Sequence, residues 1–266
     1  MAGDRITKMD KRNQGPLLEY LRNDPKRHAF ALYDLIREPE NTTLFTATDV
    51  GGAIAGYLLI YKMTKYLSIV LDSPMDTTEE LLHLAPREKG ILFVPPDLLS
   101  IARANISSTG IYLEDQMSLT REKSNLPPPT TARRLTGDDS RVVADLYSSD
   151  VGGSRDMDID ATRKWIERSP FFGVEVNQKL VSVAGTLVVM PEVSVIGGVF
   201  THSLYRGKGL AKTVTGAVAR HLFGISSLIT LYVRSDNESA ISAYKSLGFE
   251  NTGERFWVDM GTGLQP

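Results

Sequence analysis

The sequence predicts an α/β fold (α+β in its ordering) arranged as two similar halves, and three observations carry that expectation. The 266 residues are 42% hydrophobic and 23% charged, the balance of an ordinary globular chain with enough length for two cores. Apolar residues alternate between helical and strand spacing, and the same order of elements occurs twice. Near the middle stands Ser124-Asn-Leu-Pro-Pro-Pro-Thr-Thr131, an extended polyproline segment that neither a helix nor a sheet interior accepts. The expected organisation is therefore a first domain over 1–123, a linker over 124–131 and a second domain over 132–266.

In the first half, Leu17, Leu18 and Leu21, then Phe30, Leu32, Leu35 and Ile36, mark two helices broken at Asn23-Asp24-Pro25. Strands are expected over Thr43–Thr48, Ala53–Tyr61 and Tyr66–Leu71, with a turn at Asp49-Val-Gly-Gly52. A helix (Thr77–His83), a strand (Gly90–Val94), a helix (Asp97–Asn105) and a strand (Ile111–Leu119) follow. The second half repeats the scheme. Helices Asp138–Tyr147 and Ile159–Arg168 precede strands Gly173–Val176, Val181–Met190 and Val193–Thr201, with Asn177-Gln178 as the first turn. Helix Gly209–Phe223, strand Ile229–Val233, helix Glu238–Leu247 and strand Phe256–Met260 complete it.

Composition excludes several function classes. Thirty basic against 32 acidic residues leave a net charge of −2, without the basic excess that non-specific nucleic-acid or anionic-membrane binding uses. The absence of cysteine removes disulfides, thiolate metal ligands and a cysteine nucleophile together. The longest apolar run, Gly51–Tyr61, contains three glycines and is too short for a membrane helix, and the first residues lack a signal-peptide core. A cytoplasmic protein is expected. No histidine or carboxylate cluster has metal-ligand spacing, so no metal is expected.

Two clusters carry chemistry. After the Val193–Thr201 strand, Arg206-Gly-Lys-Gly209 opens a helix, and glycines there let backbone N–H groups approach a phosphate at the positive end of the helix dipole. Arg206, Lys208 and Lys212 add cations where the dipole disfavours them, which a bound anion would relieve; solvated basic residues before a surface helix are the plainer alternative. The nucleotide-hydrolase loop and the dinucleotide fingerprint both fail, because each needs a glycine where Lys212 stands. In the second cluster, Ser235 and Glu238 have capping-box spacing, Asn237 and Tyr244 lie two turns apart on one helix face, and Gly248 stops the helix before Phe249. Separately, Asn237 reads as a first-turn residue and Tyr244 as a half-buried aromatic.

Together, Arg206-Gly-x-Gly-x-Ala211 and Asn237-x-x-Ala240-x-x-x-Tyr244-x-x-x-Gly248-Phe249 resemble the GNAT superfamily of acetyl-coenzyme A-dependent N-acyltransferases over roughly 133–260. Gly198-Val-Phe-Thr-x-x-x-Tyr-Arg-Gly-x-Gly looks most like the tandem subgroup, in which only the second of two GNAT-like halves keeps the cofactor loop. Leu204 departs from the glutamine or arginine frequent at its position.

The resemblance implies two tandem domains, each a mixed twisted sheet flanked by helices, and direct transfer of an acetyl group from acetyl-coenzyme A to a primary amine in a ternary complex. It implies that the backbone of Val199, Phe200 and Thr201 holds the pantetheine. The segment Arg206, Gly207, Lys208, Gly209, Leu210, Ala211 and Lys212 would hold the pyrophosphate, and Asn237 would orient the cofactor or a water. Tyr244 would be the general acid, and Glu192 the general base if it is not merely an exposed turn residue; Glu175 and His202 are reserves. The partner is a small-molecule or peptide amine. A non-catalytic acyl-coenzyme A-binding or regulatory module is the alternative. The first half has the acidic, glycine-free Asp72-Ser-Pro-Met-Asp76 where a loop would stand, and so reads as a degenerate copy. That copy would be a platform, a homodimer surface or one wall of the acceptor site.

Overall fold

In the computed structural model the chain divides into two units, residues 1–114 with 254–266, and residues 115–253. The structure describes residues 5–10, 14–128, 131–149, 157–262 and 264. This division differs from the sequence-based one at both ends. Residues 124–128 are not a free spacer: the Asn125 N–H donates to the Leu247 carbonyl (2.9 Å), Arg220 donates to the Pro127 carbonyl, and a Cβ on Gly216 would come within 2.7 Å of Pro127. Pro129 and Thr130 of the expected linker lie outside the described residues. The C-terminal segment belongs to the first unit because its strand pairs there.

The first unit begins with a short edge strand, β1 (Ile6–Lys8), which is too brief to leave a periodic signal. Helices α1 (Gln14–Asn23) and α2 (Ala29–Arg37) follow, separated at Asp24-Pro25 as the sequence predicts. Strands β2 (Thr42–Thr48), β3 (Ile54–Lys62) and β4 (Leu67–Asp72) form an antiparallel meander. The β2–β3 turn closes on Asp49, whose carboxylate accepts from the Gly51 and Ala53 N–H groups at 2.8 and 3.0 Å. Helix α3 (Met75–His83) then crosses to β5 (Gly90–Val94), parallel to β4, and α4 (Leu99–Asn105) leads out. The last strand pairs antiparallel with β5, Phe256 opposite Val94 through Met260 opposite Gly90.

The acidic segment of this unit is internally neutralised rather than a free negative surface. Asp72 is buried and takes a bidentate pair from Arg27 (2.7 and 2.6 Å), while Asp76 binds Arg5 at 2.7 Å. His28 is a buried core histidine, its Nδ1 3.0 Å from the Tyr57 hydroxyl, and burial lowers its pKa.

Two strands span the division: β6 (Gly110–Thr120) and β12 (Glu250–Met260). The second unit adds the short edge strand β7 (Ala132–Arg134), helices α5 (Ser140–Ser148) and α6 (Ile159–Arg168), and strands β8 (Phe172–Val176), β9 (Lys179–Val189) and β10 (Ser194–Thr201). Asn177 and Gln178 have φ of 51° and 62°, the left-handed pair that a two-residue hairpin uses. Helix α7 (Leu210–Leu222), strand β11 (Leu228–Arg234) and helix α8 (Glu238–Ser246) complete the unit, whose strand order is β6-β11-β10-β9-β8-β7. One core contains Val214, Val218, Leu222, Leu231, Tyr244 and Phe249; another contains Leu135, Val143, Tyr147, Ile166, Phe171 and Val183.

Asp34 on α2 carries a pH signature. It is 8% exposed, and burial, with Glu38 nearby, raises its carboxyl to about 7 from an ordinary 3.8. The folded state thus keeps a proton that the unfolded chain releases at lower pH, so stability present at low pH is lost as pH climbs from about 4 to 7. Denaturant titrations from pH 4 to 8 should show wild type losing about 2–4 kcal/mol relative to Asp34→Asn. Parallel curves for the two proteins would contradict this.

Candidate active site

The site is built from the far half of β10. Strands β10 and β11 pair in parallel only from Ser194 opposite Ile229 to Ile196 opposite Leu231, although β10 runs on to Thr201 and β11 to Arg234. Beyond Ile196 they separate. On its other side β10 stays bound to β9, but the register slips between Gly197, opposite Gly185, and Phe200, opposite Val183. Gly198 sits in that bulge with φ +61°.

Alternation then decides where the backbone points. The His202 N–H donates to the Val181 carbonyl (2.9 Å), and Phe200 stands opposite Val183, so both turn their polar groups to β9. The adjoining Val199 carbonyl and both backbone groups of Thr201 therefore turn away from β9, to the side that β11 has left. Val199 packs its side chain on the core that contains Tyr244, and Phe200 packs on the opposite one. The opening is a slot lined by backbone that no strand pairs, with the Thr201 carbonyl accepting from the Arg206 side chain.

At the mouth of the slot lies the glycine loop. A turn at Ser203–Tyr205 leads to extended Arg206, then Gly207 (φ +74°), Lys208 and Gly209 (φ +76°), which caps α7 in the left-handed region. A Cβ at Gly207 or Gly209 would meet nothing within 4 Å, so conformation rather than crowding requires glycine, and the ground above the loop is open. None of the N–H groups from Gly207 to Lys212 donates to another described residue. Arg206 reaches back to the Thr201 carbonyl (3.0 Å) and lies 5.9 Å from the Phe200 ring centre, while Lys208 lies 5.2 Å from that of Tyr205. Leu204 is 78% exposed and forms no part of the cradle's packing. Open space, left-handed glycines, free donors and adjacent cations fit a diphosphate.

The second cluster departs from its reading in one respect. The cap of α8 is Asn237, whose side-chain oxygen accepts from the Ala240 N–H (3.1 Å); Ser235 instead donates to Asp115 at 2.6 Å. That leaves the Asn237 amide nitrogen as the donor it can offer a ligand. Tyr244 is buried, tilted against Phe249 at 6.0 Å, and its hydroxyl bonds to none of the described residues. Desolvation pushes its pKa up, so the phenol keeps its proton at every working pH. Gly248 (φ +97°) ends α8, and the Phe249 N–H returns to the Tyr244 carbonyl (3.1 Å).

Glu192 is not brought to this cluster. It is half-buried just before β10 begins, its carbonyl accepting from Ser227 (3.2 Å), and ~16 Å of extended strand separates it from Gly197. Glu175 on β8 is committed to Arg133 (2.7 Å), and the His202 ring accepts from the Leu204 N–H (3.2 Å). Sequence reading missed the aromatic wall behind the bulge. Tyr147 stacks on Trp165 (6.3 Å, 17°) and tilts against Phe200, while Trp165 meets Phe171 edge-on and donates to the Thr186 carbonyl (2.8 Å).

The site thus combines a parallel-strand opening with a glycine-capped helix at its end. Residues 141–249 match the model of the acetyltransferase (GNAT) family. A mycothiol acetyltransferase from Mycobacterium sp. is 28% identical, over 57% of this chain and 58% of that protein; another from Mycolicibacterium gilvum is 27% identical over the same shares. The chain thus spans less than two thirds of those relatives. Among solved structures, a Drosophila protein superposes over 98% of this chain and 100% of its own (TM-score 0.74, 12% identity). A tandem GNAT protein from the clavulanic acid biosynthesis pathway covers 96% of this chain and 99% of its own (TM-score 0.63, 13% identity). The fold is that of two GNAT-like domains in tandem.

The glycines separate by mechanism. Gly207→Ala adds only left-handed strain, about 1 kcal/mol. Gly198→Ala adds the same strain plus a Cβ 2.5 Å from Trp165 and 2.6 Å from the Tyr147 hydroxyl, and should cost about 2–4 kcal/mol. Equal losses in urea unfolding would show that the aromatic wall yields.

Proposed function

We propose that the chain is an N-acetyltransferase that moves an acetyl group from acetyl-coenzyme A to a primary amine by direct attack in a ternary complex. The observation that carries this reading is the slot between β10 and β11, with the glycine loop at its mouth. The named activity of the mycobacterial relatives supports acetyl transfer as the reaction class.

Acetyl-coenzyme A supplies an activated acyl group as a thioester. The Val199 C=O and the Thr201 N–H hold the pantetheine amides as an added strand would, and the N–H groups of Gly207 to Lys212 take the diphosphate, helped by Arg206, Lys208 and Lys212. The Val199 N–H stabilises negative charge on the thioester oxygen in this reading. The amine nitrogen bonds to the carbonyl carbon, the carbon–sulfur bond breaks, and the departing sulfur takes the Tyr244 proton. A phenol held protonated by burial suits that role, because a desolvated thiolate is a strong base. Asn237 orients cofactor or water through its amide nitrogen. The amine's own proton leaves through water toward Glu192, since the carboxylate stands too far along β10 for direct contact.

The rival reading, a binder without turnover, needs no proton donor at the sulfur. Coenzyme A release across an amine panel identifies an acceptor, and Tyr244→Phe then separates the two. The variant keeps the ring and its packing, so cofactor affinity should hold while kcat falls ~10²–10⁴-fold. Unchanged turnover on a good acceptor would remove Tyr244 from the mechanism.

A further inference from the structure

The bulge at Gly198 has a weakness that the glycine itself creates. A peptide next to a left-handed glycine turns over more readily than one between ordinary residues, and a turned Gly198–Val199 peptide would point a carbonyl where the site needs an N–H. One side chain opposes that turn. The Tyr147 phenol on α5 donates a hydrogen bond to the Gly198 carbonyl oxygen. Tyr147 is 3% exposed and held in place by its stack on Trp165 and its tilt on Phe200, and Trp165 is itself pinned by the Thr186 carbonyl and Phe171. The phenol has no room to swing aside.

The consequence follows from peptide geometry. Among the described residues every peptide is trans, so the Gly198 carbonyl and the Val199 N–H point in opposite directions. With the carbonyl fixed toward α5, the N–H faces away from α5. Val199 has no partner in the β9 register, which passes from Gly197 opposite Gly185 to Phe200 opposite Val183.

We propose that Tyr147 is a positioning residue: by holding the Gly198 carbonyl it aims the Val199 N–H at the thioester carbonyl oxygen. The inference rests on the reading that the slot holds acetyl-coenzyme A and adds a residue about fifty positions upstream of the motif. Tyr147 touches no reacting atom; it acts through one peptide.

The test uses the full chain, wild type and Tyr147→Phe, with acetyl-coenzyme A carrying a ¹³C-labelled thioester carbonyl. In wild type the bound carbonyl stretch should lie below that of the free compound. In Tyr147→Phe it should return most of the way, kcat should fall ~10–100-fold, and the Kd for coenzyme A without the acetyl group should stay within about twofold. An unshifted wild-type band, or a variant that keeps the wild-type band and kcat, would overturn the proposal and leave the cofactor site standing. Absence of any binding by wild type would overturn both. A measurement on wild type alone guards against a variant that does not fold. The Val199 amide proton should move downfield with acetyl-coenzyme A and not with coenzyme A, and an identical response to the two would count against the proposal.

Discussion

The parting of β10 from β11 after Ile196 is the constraint on which the rest of the site depends. A strand inside a sheet normally spends its backbone groups on both neighbours, and unpaired ones carry a free-energy penalty when buried. Here β9 holds one edge of β10 while the other edge opens, and the bulge at Gly198 shifts the register at the point of separation. In the proposed function, that edge is the template for an extended, amide-bearing ligand. Everything downstream takes its position from it: the strand delivers Thr201 to the loop, the loop delivers Gly209 to α7, and Val199 packs on the core that contains Tyr244.

The glycine loop and the aromatic wall then divide the work. Gly207 and Gly209 leave open space, so that a bulky anion can sit on bare N–H groups beside cations. Gly198 is hemmed in on one side by Trp165 and Tyr147, so that its peptide has one orientation. The same residue type thus serves access in one place and rigidity in the other. In the first unit the corresponding stretch has neither feature. Asp72, Ser73 and Pro74 run straight into α3, and Arg27 occupies the Asp72 carboxylate.

Much of this was legible in the sequence, for identifiable reasons. Left-handed glycines before a helix leave a mark in the residues themselves, so Gly207 and Gly209 could be read directly, as could the Asn177-Gln178 turn and the Gly248 stop. The cap of α8 was misread by two positions because Ser235 and Asn237 both have capping chemistry; only the structure shows Ser235 engaged with Asp115. Tyr147 and Trp165 carried no local signal, since their partners Gly198 and Thr186 are remote in sequence. The final strand was read as part of the second half, and nothing in Phe256–Met260 tells which sheet it will join; its pairing with β5 is a tertiary choice. Glu192 looked well placed by order along the chain, yet order does not measure ~16 Å of extended strand.

The central claim is that the N-terminus of α7 holds the diphosphate of coenzyme A. Titration calorimetry of acetyl-coenzyme A into the full chain, wild type against Gly207→Asp, tests it most directly. The aspartate would bring a side chain and a like charge onto open ground, so the account predicts a fall in affinity of at least about a hundredfold, ~3 kcal/mol, with the fold intact by circular dichroism. Equal affinity for wild type and a folded Gly207→Asp variant would contradict it.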